Sequence, residues 1–427
     1  MVLMVPVLRR TSVWWLAPSR APVCYKVVND VMAVLSGVRV IEASTLLAAP
    51  LAASLLSDFG ADVIKVERPV QGDPIRSYPP FAENGDPLGH KVTNRNKWHV
   101  TCDLHKPEGQ TLFRKLVATA DVVITNFRLE TLARWQIDYP HLRLVRDNLI
   151  MLHLSAYGRT GPYRDRPGFA RVVEAFSGLT YMSGTPDGPP MFSGYPLADG
   201  LGGIYGAFSV MLALFHRDRQ GAGQLIDLGL YEPLMKMMES AAISYEEAGD
   251  KGERTGNVNR HVAPNNLYKC RDGRWIVLPV STDGMFVRLC NALGLSAIVD
   301  DPGFATNAQR VKHRDDLDDV LNSVISQHNA TDLLDRLREH GVACGDILRI
   351  DEFLSDPHVH ERTNMVRVFD PTLGRDVVMP GVVPKLSDSP GTIRWPGRPL
   401  GADNDAVYRA LGLSDADLEK LRETGVV

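Results

Sequence analysis

Two short apolar strands, Gly37-Val-Arg-Val-Ile-Glu42 and Asp62-Val-Ile-Lys-Val-Glu67, bracket an apolar stretch over Thr45 to Phe59 that stops at Gly60. The middle piece reads as a helix, with Ser44 or Thr45 placed to cap its start and Gly60 to end it. Strand, helix and strand in so short a span form a βαβ unit, and such a crossover makes the strands parallel. The alternation continues. His99 to Leu104 reads as a strand, Pro107 to Ala120 as a helix, Asp121 to Thr125 as a strand, Leu129 to Trp135 as a short helix and Leu149 to Ser155 as a strand. The expected fold is α/β, a doubly wound, mostly parallel sheet whose loops gather at one edge. The turn after the first strand, Ala43 to Pro50, has no GxGxxG, and no P-loop occurs anywhere, so a dinucleotide site is poorly supported.

Beyond Ser155 the texture changes in stages. Tyr157-Gly-Arg-Thr-Gly-Pro162 breaks the pattern with turn residues, Phe169 to Phe176 reads as helical, and Gly184 to Pro190 as a loop. Leu230 to Glu247 is a Met-rich helical stretch, followed by a polar segment over Gly249 to Asn266. Asp272-Gly273 between Leu267–Cys270 and Arg274–Leu278 is a hairpin signal, and short helices follow through Leu289, Leu317 to Ile325 and Leu333 to His340. Met365 to Phe369 is strand-like again, and two helical pieces around Tyr408 and Leu418 close the chain, with Ser414 and Asp417 spaced as a capping box. The expected division is an N-terminal extension over 1–31, the first part of a large domain over 35–229, a smaller α+β domain over 230–363, and a return to the large domain over 364–427. The 1–31 segment carries Arg9, Arg10, Arg20 and Lys26 with no acid before Asp30. It reads as an over-long start, with Met32 the more natural first residue, or as a weak organelle-targeting leader.

A formal charge of −4 and a pI near 6.3 give no drive toward nucleic acid or an anionic membrane surface. No apolar run in the sequence reaches the roughly 18 to 20 residues that a membrane-spanning helix needs. The five cysteines are scattered and form no CxxC pair, which fits a reducing cytoplasm and indicates neither a disulfide framework nor a zinc site. His358 and His360 lack the partner spacing of a metal motif, so no metal is expected.

One acid stands out. Asp199 lies in Pro196-Leu-Ala-Asp-Gly-Leu-Gly-Gly-Ile-Tyr205, at the mouth of an apolar run from Leu201 to Phe215 that reads as a buried helix. At an N-cap or first turn an aspartate is held ionised by backbone N–H groups and the helix dipole. Many such acids are caps and nothing more. Here Gly200, Gly202 and Gly203 leave the backbone bare, so a second large group could approach, as nucleophilic carboxylate catalysis requires.

From Leu35 onward the chain resembles the class III (family III) CoA-transferases, the group that includes formyl-CoA transferase, carnitine CoA-transferase and the α-methylacyl-CoA racemases. The resemblance rests on Gly37–Glu42, Gly60–Glu67, Gly72-Asp73, Asn94-Arg-Asn-Lys97, Asp103-Leu104, Asp121–Phe127, Tyr157-Gly158, Leu197-Ala-Asp-Gly200, Arg254–Asn257, Asp272-Gly273 and Asp356–Val359, in that order. It implies an interlocked homodimer that takes acyl-CoA and a carboxylic acid as substrates, with no permanently bound cofactor. It also implies that Asp199 is the nucleophile, passing through a mixed anhydride and an aspartyl-CoA thioester.

For CoA the resemblance points to Leu46, Leu47 and Ala48 after the first strand, to Arg68 after the second, and to Cys102, His105, Asn126, Phe127 and Arg134. Guanidinium forks at Arg68 and Arg134 suit phosphates. His105 stands where formyl-CoA transferase has a Lys. The racemases carry a His–Asp pair where this chain has Phe169-Ala170, so two-base racemisation lacks its second base. Ala170 also lacks the acid that formyl-CoA transferase has there; Glu174, one turn on, is the candidate to face the same cleft.

Overall fold

The computed structural model describes residues 33–427, so the 1–31 segment lies outside the described residues. Six strands form one sheet: β1 Arg39–Ala43, β2 Asp62–Glu67, β3 Lys97–Thr101, β4 Val122–Thr125, β5 Ile150–Ser155 and β6 Leu225–Gly229. Their order is β3-β2-β1-β4-β5-β6 and every pairing is parallel. The βαβ expectation is met, and β6 is an addition, because Leu225-Ile-Asp-Leu-Gly229 is too short and too polar to read as a strand alone. The winding reverses between β1 and β4, the place along such a sheet where ligands commonly bind.

Each face of the sheet is covered. On one face the helices Ala48–Asp58 and Leu197–Gln220 pack over β1, β4 and β5 through Ala49, Ala52, Leu56, Leu152, Leu154 and Val210. On the other the helix Pro107–Ala118 supplies Leu112, Phe113 and Leu116, and Tyr408 and Leu418 from the C-terminal helices join the same core. Tyr408 donates from its hydroxyl to the Thr101 carbonyl at 2.6 Å, and the last helix carries the expected Ser414–Asp417 capping box.

A third core forms around the antiparallel strands β7 Asn265–Lys269 and β8 Trp275–Pro279 and the two-residue β9 Gly345–Asp346, with Tyr268, Ile276, Leu289, Leu321 and Leu334 at its centre. A separate hairpin pairs β10 Met365–Asp370 with β11 Arg375–Pro380. The Met-rich stretch is not one helix: the chain turns at Met238–Ser240 and leaves Tyr231–Met237 and Ala241–Ala248.

The helix carrying Asp199 is longer than its apolar run suggested. It spans 24 residues, Leu197–Gln220, continuing through His216–Gln220 to a left-handed Gly221. By length and composition alone it could cross a membrane, which corrects the sequence reading. One face is buried against the sheet and the helix Ala48–Asp58, while Ile204, Phe208, Met211, Leu212 and Phe215 on the other are exposed.

Candidate active site

The two loops at the winding reversal are tied together by one side chain. Asn126, just after β4, accepts from the Thr45 backbone N–H through Oδ1 at 3.0 Å and donates from Nδ2 to the Thr45 carbonyl at 2.9 Å. Ser44 is also occupied, donating to Glu42 at 2.8 Å. Neither residue caps the helix as expected: it begins at Ala48, behind Leu47, with no side-chain cap. The N–H groups of Leu47, Ala48 and Ala49 have no acceptor among the described residues. Three such donors at the positive end of a helix suit an anion. Leu46 turns the chain into this site with φ +68, a left-handed conformation that bulky residues rarely adopt.

Beside this loop the structure brings three more of the expected residues together around one that sequence reading passed over. Trp135 packs edge-on against Phe127, with ring centroids 5.6 Å apart, and against His105 at 4.9 Å. Its neighbour Arg134 is exposed, and the Arg134 guanidinium has no partner among the described residues. Only an aromatic beside Arg134 hinted at Trp135 in the sequence. His105 is drawn toward Asp103, Nδ1 to Oδ1 2.9 Å. Arg68 is exposed after β2. Cys102 is a correction. Its side chain is sealed in the second core, donating to the Gly109 carbonyl at 3.2 Å, and burial pushes its thiol up, so the thiol is not available to a ligand.

Asp199 sits in the first turn of its helix, three residues in, with no hydrogen bond or ion pair among the described residues. Burial, and next the charge of Glu174, raise its carboxyl to about 6. Raised to about 6, the acid is less acidic than a free aspartate but still mainly ionised at neutral pH. Glu174 is buried on the helix Ala170–Phe176. It accepts from the Ala198 backbone N–H at 3.1 Å through Oε1 and from Arg171 Nη1 at 3.1 Å through Oε2.

The glycines divide into two kinds. A Cβ on Gly200 would meet nothing within 4 Å, which leaves open space beside Asp199. A Cβ on Gly202 would lie 2.5 Å from Leu230 and 3.8 Å from Ala48, one on Gly203 2.8 Å from Leu51, and one on Gly206 3.2 Å from Ala52. Gly202 and Gly203 therefore serve close helix packing, not ligand access, which corrects their sequence reading. The ascending pairs, Ala48 with Gly202 and Ala52 with Gly206, show that the two helices run parallel. Asp199, one turn before Gly202, lies at the same sheet edge as the uncapped start at Ala48.

Beneath the loop lies a layer of buried charge. Lys65 Nζ is 2.7 Å from Glu42 and 2.8 Å from Asp73; Lys97 Nζ is 2.7 Å from the other Glu42 oxygen. Burial alone would raise the Glu42 carboxyl, but Lys65 and Lys97 hold it at about 2, while burial brings Lys97 down to about 8. Nearby, Glu67, His90 and His99 bring possible ligand atoms within 4.8 Å of one another. Arg76 already grips both Glu67 oxygens at 2.6 and 2.7 Å and approaches His99 at 3.1 Å, so a metal ion would sit against a guanidinium.

An α/β fold with uncapped helix N–H groups and a desolvated carboxylate at one sheet edge is an arrangement that could hold an anion and present a nucleophile. The chain belongs to CoA-transferase family III, which it matches over residues 35–404. It is 40% identical over 394 residues to the succinyl-CoA–D-citramalate CoA-transferase of Chloroflexus aurantiacus, covering 92% of this chain and 98% of the relative. It is 37% identical over 398 residues to the succinate–glutarate CoA-transferase of Agrobacterium fabrum, covering 91% and 97%. A crystal structure of a CaiB/BaiF family protein from Brucella suis superposes with a TM-score of 0.79 at 32% identity, covering 89% of this chain and 99% of that one. The activity is that of a CoA-transferase.

Proposed function

We propose that this enzyme moves CoA from an acyl-CoA to a free carboxylic acid through Asp199, and the observation that carries the proposal is the unpaired, desolvated carboxylate of Asp199 at a helix start beside open space. An Asp199 oxygen attacks the thioester carbonyl, the C–S bond breaks, and a mixed anhydride and CoA thiolate result. The thiolate attacks the aspartyl carbonyl, releasing the donor acid with one oxygen taken from Asp199 and leaving an aspartyl-CoA thioester. The acceptor carboxylate repeats the sequence in reverse, returning one of its own oxygens to Asp199. Each adduct stays near the thioester in energy, so one difficult exchange becomes several easier ones. The Asp199 N–H, without an acceptor among the described residues, would bear developing oxyanion charge.

CoA enters as a substrate. Its diphosphate would lie on the free N–H groups of Leu47, Ala48 and Ala49, with Arg68 and Arg134 as guanidinium partners and the Phe127–Trp135–His105 cluster nearby. Relatives named for succinyl-CoA with D-citramalate and for succinate with glutarate support a dicarboxylic acyl donor and acceptor here. The exposed apolar face Ile204, Phe208, Met211, Leu212 and Phe215 supports a second copy of this chain as its cover, in keeping with an interlocked homodimer. The absence of a base at Phe169-Ala170 favours transfer over racemisation.

The test is incubation with succinyl-CoA and a panel of carboxylic acids, with and without hydroxylamine. Exchange that hydroxylamine traps, and that Asp199→Ala abolishes while CoA binding persists, supports the proposal; full exchange by the variant refutes it.

A further inference from the structure

We propose that Asp73 is the positioning residue of the CoA loop, holding Leu46 in its left-handed turn so that the next three N–H groups stay open. This rests on the assignment of that loop to CoA. Asp73 is 27 residues from Leu46 in sequence and belongs to the turn after β2, so nothing local explains the contact. Its Oδ1 accepts from the Leu46 N–H at 2.9 Å and from the Ile75 N–H at 3.0 Å. Its Oδ2 lies 2.8 Å from Lys65 Nζ, and its own N–H donates to Glu67 at 2.9 Å. Asp73 is 1% exposed and Lys65 0%.

The demand on this side chain is specific. Leu46 at φ +68 is strained, because its Cβ crowds the backbone there, and such a conformation persists only where the surroundings over-determine it. The Leu46 N–H bond to Asp73 and the Thr45 ties to Asn126 fix two consecutive residues. The chain then emerges with the Leu47, Ala48 and Ala49 donors unpaired among the described residues. The two Asp73 oxygens have different partners: Oδ1 accepts from backbone N–H groups and Oδ2 forms an ion pair with the Lys65 ammonium. Asparagine is isosteric but has one acceptor oxygen. Its NH2 would face either Lys65 or Leu46, donor against donor, and one of those contacts would be lost.

Steady-state kinetics of Asp73→Asn, Leu46→Gly and the double variant with succinyl-CoA test this. Asp73→Asn is expected to raise KM for the acyl-CoA about tenfold with kcat changed less than about threefold, since relaxing the strained turn closes the donors without touching Asp199. Glycine adopts this φ without strain, so in the Leu46→Gly background Asp73→Asn is expected to change KM less than about threefold relative to Leu46→Gly alone, which a general loss of stability would not do. An unchanged KM in folded Asp73→Asn, or an equal rise when it is added to Leu46→Gly, overturns the inference.

Leu47→Glu separates this from the reading beneath it. If the loop holds the CoA diphosphate, a carboxylate there raises KM whatever Asp73 does; an unchanged KM in Leu47→Glu would remove the CoA-loop assignment itself. Residue-resolved hydrogen exchange on the wild-type protein serves if Asp73→Asn does not fold. The Leu46 amide should exchange slowly, and those of Leu47, Ala48 and Ala49 rapidly until CoA is added. Rapid exchange at Leu46 would equally overturn the inference.

Discussion

Glu174 Oε1 accepts the backbone N–H of Ala198 at 3.1 Å, which places a buried carboxylate one residue from Asp199. The contact does two things at once. It satisfies one orphan donor of the helix start and brings a second negative charge beside the nucleophile. With burial as the larger cause, that charge holds Asp199 at about 6, close enough to neutrality to keep it ionised yet reactive.

The pH profile should follow from this. Attack needs the Asp199 carboxylate, so kcat/KM is expected to fall about tenfold per unit below pH 6, the value to which Asp199 is raised. Glu174→Gln keeps an acceptor for the Ala198 N–H and removes the charge, so the acid limb should move to lower pH by roughly half to one unit. A limb that stays in place would show that Glu174 does not act on Asp199. Glu174→Ala, which also removes the acceptor, should lower kcat by about ten- to a hundredfold.

Glu42 titrates in the opposite sense. Its folded value, about 2, lies below its ordinary 4.5, so the stability it contributes is present above pH 4.5 and is lost as pH falls toward 2. Glu42→Gln leaves Lys65 and Lys97 without their shared counter-charge in a fully buried layer, and should cost about 3–5 kcal/mol in urea unfolding at pH 7. A loss below about 1 kcal/mol would mean that water reaches this layer.

The glycines of the catalytic helix should separate by role. Gly203→Ala forces a Cβ to 2.8 Å from Leu51 and is expected to lower stability by roughly 1–3 kcal/mol, measured by thermal unfolding. Gly200→Ala meets nothing within 4 Å and should leave the unfolding temperature unchanged or raise it. If the acyl group passes beside Gly200, the same change should lower kcat/KM about tenfold or more.

Arg134 has no ion-pair partner among the described residues, so its removal should leave the fold intact. Arg134→Ala is expected to raise KM for acyl-CoA about tenfold while sparing desphospho- or pantetheine-truncated donors, measured by comparing the substrate series at one salt concentration. Equal losses for full and truncated donors would place Arg134 away from the phosphates.

Much of the scaffold was legible. The runs Arg39–Ala43, Asp62–Glu67, Val122–Thr125 and Ile150–Ser155 are apolar enough to declare buried parallel strands, and Asp199 declared itself by standing before a long apolar helix. What sequence reading missed depends on distant partners. Ser44 and Thr45 look like helix caps until Glu42 and Asn126 engage them. Gly202 and Gly203 look like ligand room until Leu230 and Leu51 fill the space beside them. The resemblance points to Cys102 for CoA, but its thiol is closed in the second core. The Glu174 contact was suggested by helical spacing, but its bond to Ala198 joins residues 24 apart and is a tertiary fact.

The most direct measurement follows oxygen. The enzyme is turned over with succinyl-CoA and an acceptor acid carrying heavy oxygen in both carboxylate positions, then digested and its peptides weighed. Transfer through Asp199 leaves an acceptor oxygen on that side chain, so the peptide containing Asp199 alone gains the isotope mass difference. Active enzyme whose Asp199 peptide stays unlabelled while CoA moves would contradict the account.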